Sequence, residues 1–140
     1  MTTRTDRGVL GLGRWIAGAY LIVGLLGIFL TGFDYFSNIT GVPLFVFTVN
    51  PLTNIIHLAV GIVGTAMTTH SSDARRFLLL VATLGIPWAV SGYFLDGTTS
   101  DFFARNPALV NTHLATALVA LVVAWNARPG AQAADRRSGL

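Results

Sequence analysis

The sequence predicts an all-α membrane protein, a four-helix transmembrane bundle made of two related helical hairpins. Three observations predict this fold: few charged residues, four apolar runs of membrane-spanning length, and one short sequence element that occurs twice. Of the 140 residues, 53% are hydrophobic and only 11% are charged, whereas about a quarter of the residues in soluble proteins are charged. A small domain leaves much of its area facing its solvent, so we expect that solvent to be lipid.

The composition also excludes several classes of site. The chain has no cysteine, which excludes disulfides, thiolate metal sites, iron–sulfur clusters and cysteine nucleophiles. All nine basic residues are arginine, and they lie in short flanks between the apolar runs instead of along one face. This distribution indicates signals of membrane topology and no nucleic-acid surface.

Four apolar runs, at residues 15–33, 51–69, 77–95 and 107–125, reach membrane-spanning length. Each can cross about 30 Å of hydrocarbon, and isolated spans satisfy their backbone groups in lipid only as helices. The first run is longer than the core of a signal peptide and predicts a retained anchor. The predicted organisation is a cytoplasmic N-terminal segment (1–14), a membrane domain (15–126) and a disordered cytoplasmic tail (127–140).

Arginine counting predicts the orientation. If the four runs alternate in direction, eight arginines lie on one side of the membrane and Arg105 alone lies on the other. Arginine is enriched in cytoplasmic loops, so we expect a multi-pass protein of the bacterial inner membrane with both termini in the cytoplasm. The outer loops then hold three acidic residues, Asp34, Asp96 and Asp101.

An internal repeat relates the second and fourth runs. Asn50-Pro51 precedes His57-Leu58-Ala59, and Asn106-Pro107 precedes His113-Leu114-Ala115 at the same interval, 56 residues later. Asparagine caps free helical amides and proline suits the first helical position. The repeat therefore predicts two parallel, equivalent helices that begin on the outer side, as in a duplicated helical hairpin.

The repeat also defines the candidate site. Both histidines lie roughly 9 Å along their helices from the outer ends. Polar and small residues at helical spacing share a face with each histidine and predict a face turned toward the bundle interior; they are Asn50, Asn54, Gly61 and Gly64 with His57, and Asn106, Thr116, Ala117 and Ala120 with His113. We expect an outward-facing site formed by His57 and His113, with Asn54 and Asn111 as polar supports.

An ionisable residue inside a membrane span is a functional-site hypothesis by default, and several roles remain open for this pair. The histidines can hydrogen-bond neighbouring helices together. They can bind a lipid, a quinone or another small molecule. They can ligate haem in a b-type electron-transfer subunit. They can also form a metal or proton site with Asp34, Asp96 or Asp101.

Three further segments carry expectations. Gly8, Gly11 and Gly13 predict a flexible segment before the first membrane helix, because no strand precedes them as a phosphate-binding loop requires. Pro87 predicts a kink in the third helix. Residues 42–49 are too short to span a membrane and predict an apolar lid at the outer interface. No catalytic constellation is recognisable in the sequence, so we expect no enzymatic activity.

The run from Leu44 to Gly61, with Asn54 and His57 in an Asn-x-x-His-Leu element, and the later Asn111-Thr112-His113-Leu114, resemble the bacterial domain of unknown function 4383 family. The resemblance covers roughly residues 15–125. It implies a small four-helix integral membrane protein and supplies no activity, cofactor or substrate. We therefore expect a structural or small-molecule-binding protein of the lipid bilayer, acting alone, as a homo-oligomer or as an accessory subunit of a larger membrane complex.

Overall fold

The computed structural model describes residues 4–127, which form four α-helices and one short β-hairpin. The elements are α1 (Arg4–Thr31), β1 (Val42–Leu44), β2 (Phe47–Val49), α2 (Pro51–Met67), α3 (Ser71–Leu95) and α4 (Pro107–Asn126). The predicted all-α class with four helices is confirmed. Of the tail predicted at residues 127–140, Ala127 is described and buried as the C-cap of α4, and the remaining residues lie outside the described part of the chain.

Three of these helices, α1, α3 and α4, are long and apolar enough to cross a membrane. The helix α2 is also apolar but has 17 residues, which at 1.5 Å per residue gives a length of about 25 Å. Large side chains such as Phe29 and Trp15 are 87% and 80% exposed on α1. Because water would penalise such a surface, the chain is a membrane protein.

The helix α1 begins at Arg4, well before the apolar run, so the prediction of a flexible glycine segment is wrong. Packing explains the difference: Val9 is 1% exposed, and Gly13 lies against the side chains of Thr68 and Ala74. The Arg14 Nε atom also donates a hydrogen bond to the Thr68 carbonyl, at 3.2 Å. These contacts extend the helix through glycines that would otherwise weaken it.

The helices pack as two hairpins, α1 against α2 and α3 against α4. Glycine allows the close approach within the first hairpin: a methyl group at Gly24 would lie 2.7 Å from the Leu58 backbone nitrogen. In the second hairpin, a methyl group at Gly85 would lie 3.1 Å from the Ala117 Cβ atom. Small residues in membrane helices permit this backbone proximity.

The two Asn-Pro elements begin α2 and α4 as the repeat predicts. The Asn50 Oδ1 atom accepts from the Thr53 backbone N–H, and the Asn106 Oδ1 atom accepts from that of Leu109, both at 2.9 Å. In each helix the proline follows at the first position. The third helix runs through Pro87 without interruption.

The β-hairpin and the α3–α4 loop close one end of the helices. The strands β1 and β2 pair antiparallel, with Val42 opposite Val49. The Asn50 side-chain amide donates to the Phe102 carbonyl, at 2.8 Å, and that of Asn106 donates to the Val46 carbonyl, at 2.9 Å. We call this the closed end. It covers the first residues of α2 and α4, the two helices that carry His57 and His113.

Candidate functional site

The side chains of His57 and His113 contact each other in the space between the four helices. Their Nε2 atoms lie 3.2 Å apart, and their ring centroids are separated by 5.3 Å. Each is the seventh residue of its helix, α2 or α4. Because the two hairpins pack together, the repeated positions converge, and His57 is only 3% exposed.

The surrounding contacts fix where the protons lie in a neutral pair. The His113 Nδ1 atom is 2.9 Å from the Leu109 carbonyl oxygen, which only accepts, so this nitrogen carries the proton. The His113 Nε2 atom is then an acceptor, and the His57 Nε2–H group donates to it. The remaining nitrogen, His57 Nδ1, is a buried acceptor with no partner among residues 4–127.

Two aromatic side chains flank the pair. The Tyr20 ring of α1 lies 5.1 Å from the His57 ring and 5.7 Å from the His113 ring, between centroids. The Trp88 ring of α3 lies 4.5 Å from the His113 ring. Each of the four helices therefore contributes one ring to a cluster that we call the aromatic–histidine cluster: Tyr20, His57, Trp88 and His113.

Two cavities lie beside this cluster, one in each groove between the hairpins. The α2–α3 crevice has a volume of about 320 Å³, and its wall extends from Thr53 and Trp88 along Ile56, Val60 and Leu84 to Phe77. The α1–α4 crevice has a volume of about 290 Å³ and is lined by Trp15, Val23, Phe47 and Thr116 among others. Tyr20, His57 and His113 line both crevices, so the histidine pair separates two apolar spaces.

Neither asparagine of the predicted site contacts a histidine through a hydrogen bond. The Asn54 Nδ2 atom donates to the Thr31 Oγ1 atom at 3.1 Å, and its buried Oδ1 atom has no partner in the described part of the chain. Asn111 is exposed and accepts from the Tyr93 hydroxyl at 2.6 Å. The structure therefore surrounds the predicted histidines with Tyr20 and Trp88 instead of Asn54 and Asn111.

A buried ion pair lies next to the cluster. The Arg105 Nε atom is 2.8 Å from the Asp101 Oδ1 atom, with the two side chains 1% and 2% exposed. Arg105 also donates to the Trp88 carbonyl at 3.1 Å and to the Ser91 hydroxyl at 2.7 Å. The pair joins the α3–α4 loop to α3 and holds the turn that carries Trp88. The sequence analysis placed Asp101 and Arg105 in the same outer loop but did not predict their contact; their four-residue spacing was the available signal.

The arrangement does not fit haem held between the two histidines. A metal–imidazole bond is about 2 Å, so axial nitrogens on opposite faces of one iron lie about 4 Å apart, which exceeds the observed 3.2 Å. A tetrahedral metal matches this distance better, but among residues 4–127 no group of three or more metal-binding side chains is found. Asp101, one predicted partner of the histidines, is paired with Arg105 instead.

Fold and site together define a small helical membrane protein with a buried histidine pair between two lateral crevices. The chain belongs to the family described as domain of unknown function (DUF4383), whose match covers residues 12–126. This confirms the resemblance found in the sequence. No curated protein and no solved structure matches the chain.

Proposed function

We propose that this protein is a non-enzymatic membrane protein that binds an amphipathic small molecule or lipid taken from the bilayer. The observation that carries the proposal is the α2–α3 crevice, an apolar groove that ends on the histidine pair. Ligand sites are typically apolar cavities of about 300–1,000 Å³ with a few polar groups that fix orientation. A head group would lie at His57 and His113, and an apolar chain would follow the groove.

The exposure of the crevice wall supports lateral access. Ile56, Val63 and Leu84 line the groove and are 41%, 48% and 69% exposed. In a membrane these side chains face lipid, so the groove opens sideways into the hydrocarbon. The hydrogen bonds at the closed end restrict access from that side. An apolar ligand dissolved in the bilayer can therefore reach the histidines without passing through water.

The proposal also includes the predicted location: the bacterial inner membrane, with both termini in the cytoplasm and the closed end outside. Arg14 and Arg75 lie near the opposite end, where their side chains donate to the carbonyls of Thr68 and Ala124. Asp34 and Asp96 lie beyond the helix ends near the closed end. This charge distribution agrees with the enrichment of arginine on the cytoplasmic side.

The test is whether native lipids retained by the purified protein depend on the crevice. Ala59 lines the α2–α3 crevice, and Ala66 lines neither crevice although it is exposed on the same helix. We expect Ala59→Trp to fill the groove and remove a specific molecule from organic extracts analysed by mass spectrometry. The matched Ala66→Trp variant should retain that molecule at the amount found in the unmodified protein.

Ala19→Trp provides a second comparison, because Ala19 lines the α1–α4 crevice. If only Ala59→Trp removes the molecule, the ligand occupies the α2–α3 crevice as proposed. If the extracts of all variants and the unmodified protein are identical to bulk membrane lipid, the proposed binding function is wrong.

A further inference from the structure

Two hydrogen-bond donors in the aromatic–histidine cluster have no partner within the described residues. The Tyr20 and Trp88 rings contact the histidine rings, and among residues 4–127 neither the Tyr20 hydroxyl nor the Trp88 indole N–H donates a hydrogen bond. Both side chains line the α2–α3 crevice. A polar group that faces hydrocarbon without a partner is costly, so both donors favour an acceptor brought in by a ligand.

A second observation at the same place is the buried His57 Nδ1 atom, which also lacks a partner. His57 is 3% exposed, and its other nitrogen is engaged by His113. Buried polar atoms in folded proteins are satisfied in the great majority of cases, and exceptions call for an explanation such as an absent ligand. The three side chains whose polar groups lack a partner here, Tyr20, His57 and Trp88, all line the α2–α3 crevice.

The crevice lining also limits the charge of the ligand. None of the side chains that line the α2–α3 crevice carries a full charge. The nearby Arg105 guanidinium is neutralised by Asp101 at 2.8 Å. A phosphate or carboxylate head group would therefore be buried without a counter-ion, which costs much free energy. A neutral head group avoids this cost.

We propose that the ligand is a neutral quinone-type molecule, with a flat carbonyl-bearing ring and an apolar tail. This inference rests on the proposed function. The ring would lie among Tyr20, Trp88 and Phe103. These aromatic side chains line the α2–α3 crevice and favour contact with a flat π-system. A ring carbonyl accepts hydrogen bonds from the Tyr20 hydroxyl and the Trp88 N–H, and the tail follows the groove toward Leu80. The His57 Nδ1 acceptor requires a donor, which the ligand supplies as a ring hydroxyl in its reduced, quinol form.

The test uses the full-length protein in phosphatidylcholine nanodiscs and two probes that share one tail. The first probe is a decyl-substituted benzoquinone with ¹³C-labelled carbonyls, and the second is decylbenzene, which has the same chain but no acceptor. Equilibrium partitioning into loaded and empty nanodiscs gives the affinity of each probe. Infrared spectroscopy of the labelled carbonyl reports hydrogen bonding, which lowers the stretching frequency.

Tyr20→Phe and Trp88→Phe each remove a donor and keep an aromatic ring. We expect each variant to weaken benzoquinone binding by about three- to tenfold, the loss of one hydrogen bond. The infrared shift should decrease, and decylbenzene binding should change less than benzoquinone binding. Tyr93→Phe and Trp125→Phe are the matched controls because neither residue lines a crevice; both should bind like the unmodified protein.

The outcomes separate this inference from the proposed function. One outcome is that both probes bind equally, lose binding in Ala59→Trp and keep it in Tyr20→Phe and Trp88→Phe. In that case the crevice binds apolar molecules and the quinone-type ligand is wrong. If neither probe partitions into loaded nanodiscs above the empty ones, the quinone inference fails. The proposed function is then judged by the native lipid extracts alone.

Discussion

The Nε2 atom of His57 lies 3.2 Å from the Nε2 atom of His113, a residue 56 positions later in the chain. The two residues are equivalent in the internal repeat, yet their surroundings differ. The His113 Nδ1 atom donates to the Leu109 carbonyl, whereas the His57 Nδ1 atom has no partner among the described residues. The same nitrogen, Nε2, of each ring faces the other ring. If both rings are neutral, one Nε2 atom must carry the shared proton and the other must accept it, so the two histidines occupy different tautomers.

We predict that the two rings are neutral and occupy opposite tautomers. ¹⁵N-histidine spectra of the protein in micelles near neutral pH should show His113 protonated at Nδ1 and His57 protonated at Nε2. The third histidine, His70, is exposed and is removed by His70→Gln to simplify the spectrum. His57→Gln and His113→Gln assign the remaining signals. Finding both rings in the same tautomer would contradict the hydrogen bond between them.

The buried ion pair gives a prediction for stability. Asp101→Asn leaves the Arg105 guanidinium buried without its counter-charge, and breaking one partner of such a pair costs about 3–5 kcal/mol. We expect a decrease of this size in the free energy of unfolding, measured by denaturant titration in mixed micelles. Because Arg105 also donates to the Trp88 carbonyl, the contact between Trp88 and His113 should loosen in the same variant.

The exposed pair of Asp73 and Arg76 is the matched control for this measurement. Its atoms are 2.9 Å apart, but the arginine and aspartate side chains are 72% and 38% exposed. Exposed pairs contribute about 0–1 kcal/mol, so Asp73→Asn should have a small effect. Equal losses in Asp73→Asn and Asp101→Asn would show that burial of Asp101 does not determine its contribution.

Sequence reasoning predicted the helices and the convergence of the histidines for one physical reason. Both follow from local patterns: apolar length for the helices, and equal spacing from Asn50-Pro51 and Asn106-Pro107 for the histidines. The contacts that depend on loops were not predictable in this way. Asp101 and Arg105 are only four residues apart in the sequence, but only the folded α3–α4 loop shows that Arg105 lies against Trp88.

The polar neighbours of the histidines were predicted incorrectly for a related reason. Asn54 shares a face with His57 on α2, but Gly27 of α1 lies directly against its side chain, and the Asn54 amide donates to Thr31. Tyr20 reaches the histidines because α1 packs closely along α2. The choice between Asn54 and Tyr20 therefore depends on the register between α1 and α2, which the periodicity of one helix does not determine.

The close packing of α1 and α2 gives a third prediction. A methyl group at Gly24 would lie 2.7 Å from the Leu58 nitrogen, and the helix backbone on that side cannot yield easily. We expect Gly24→Ala to lower the free energy of unfolding by about 1–3 kcal/mol, as overpacking does. It should also displace Tyr20, one turn earlier on α1, and so weaken ligand binding.

Gly18 provides the control on the same helix. No atom lies within 4 Å of a methyl group at this position. Gly18→Ala should be neutral or stabilise the protein by up to about 1 kcal/mol, because alanine favours helix more than glycine does. If both alanine variants behaved alike in the unfolding measurement, close approach at Gly24 would not govern the packing of this hairpin.

Orientation in the membrane is the last prediction, and the absence of cysteine makes it directly measurable. Single cysteines are introduced at Thr99, in the α3–α4 loop, and at Ser72, near the start of α3; both positions are exposed. The arginine distribution predicts that Thr99 faces outward and Ser72 faces the cytoplasm.

A membrane-impermeant maleimide should therefore label Thr99→Cys in spheroplasts, and Ser72→Cys only after the membrane is permeabilised. The cysteine-free parent measures background labelling. Labelling of Ser72→Cys in sealed spheroplasts with protection of Thr99→Cys would reverse the orientation, placing the closed end and its hairpin in the cytoplasm.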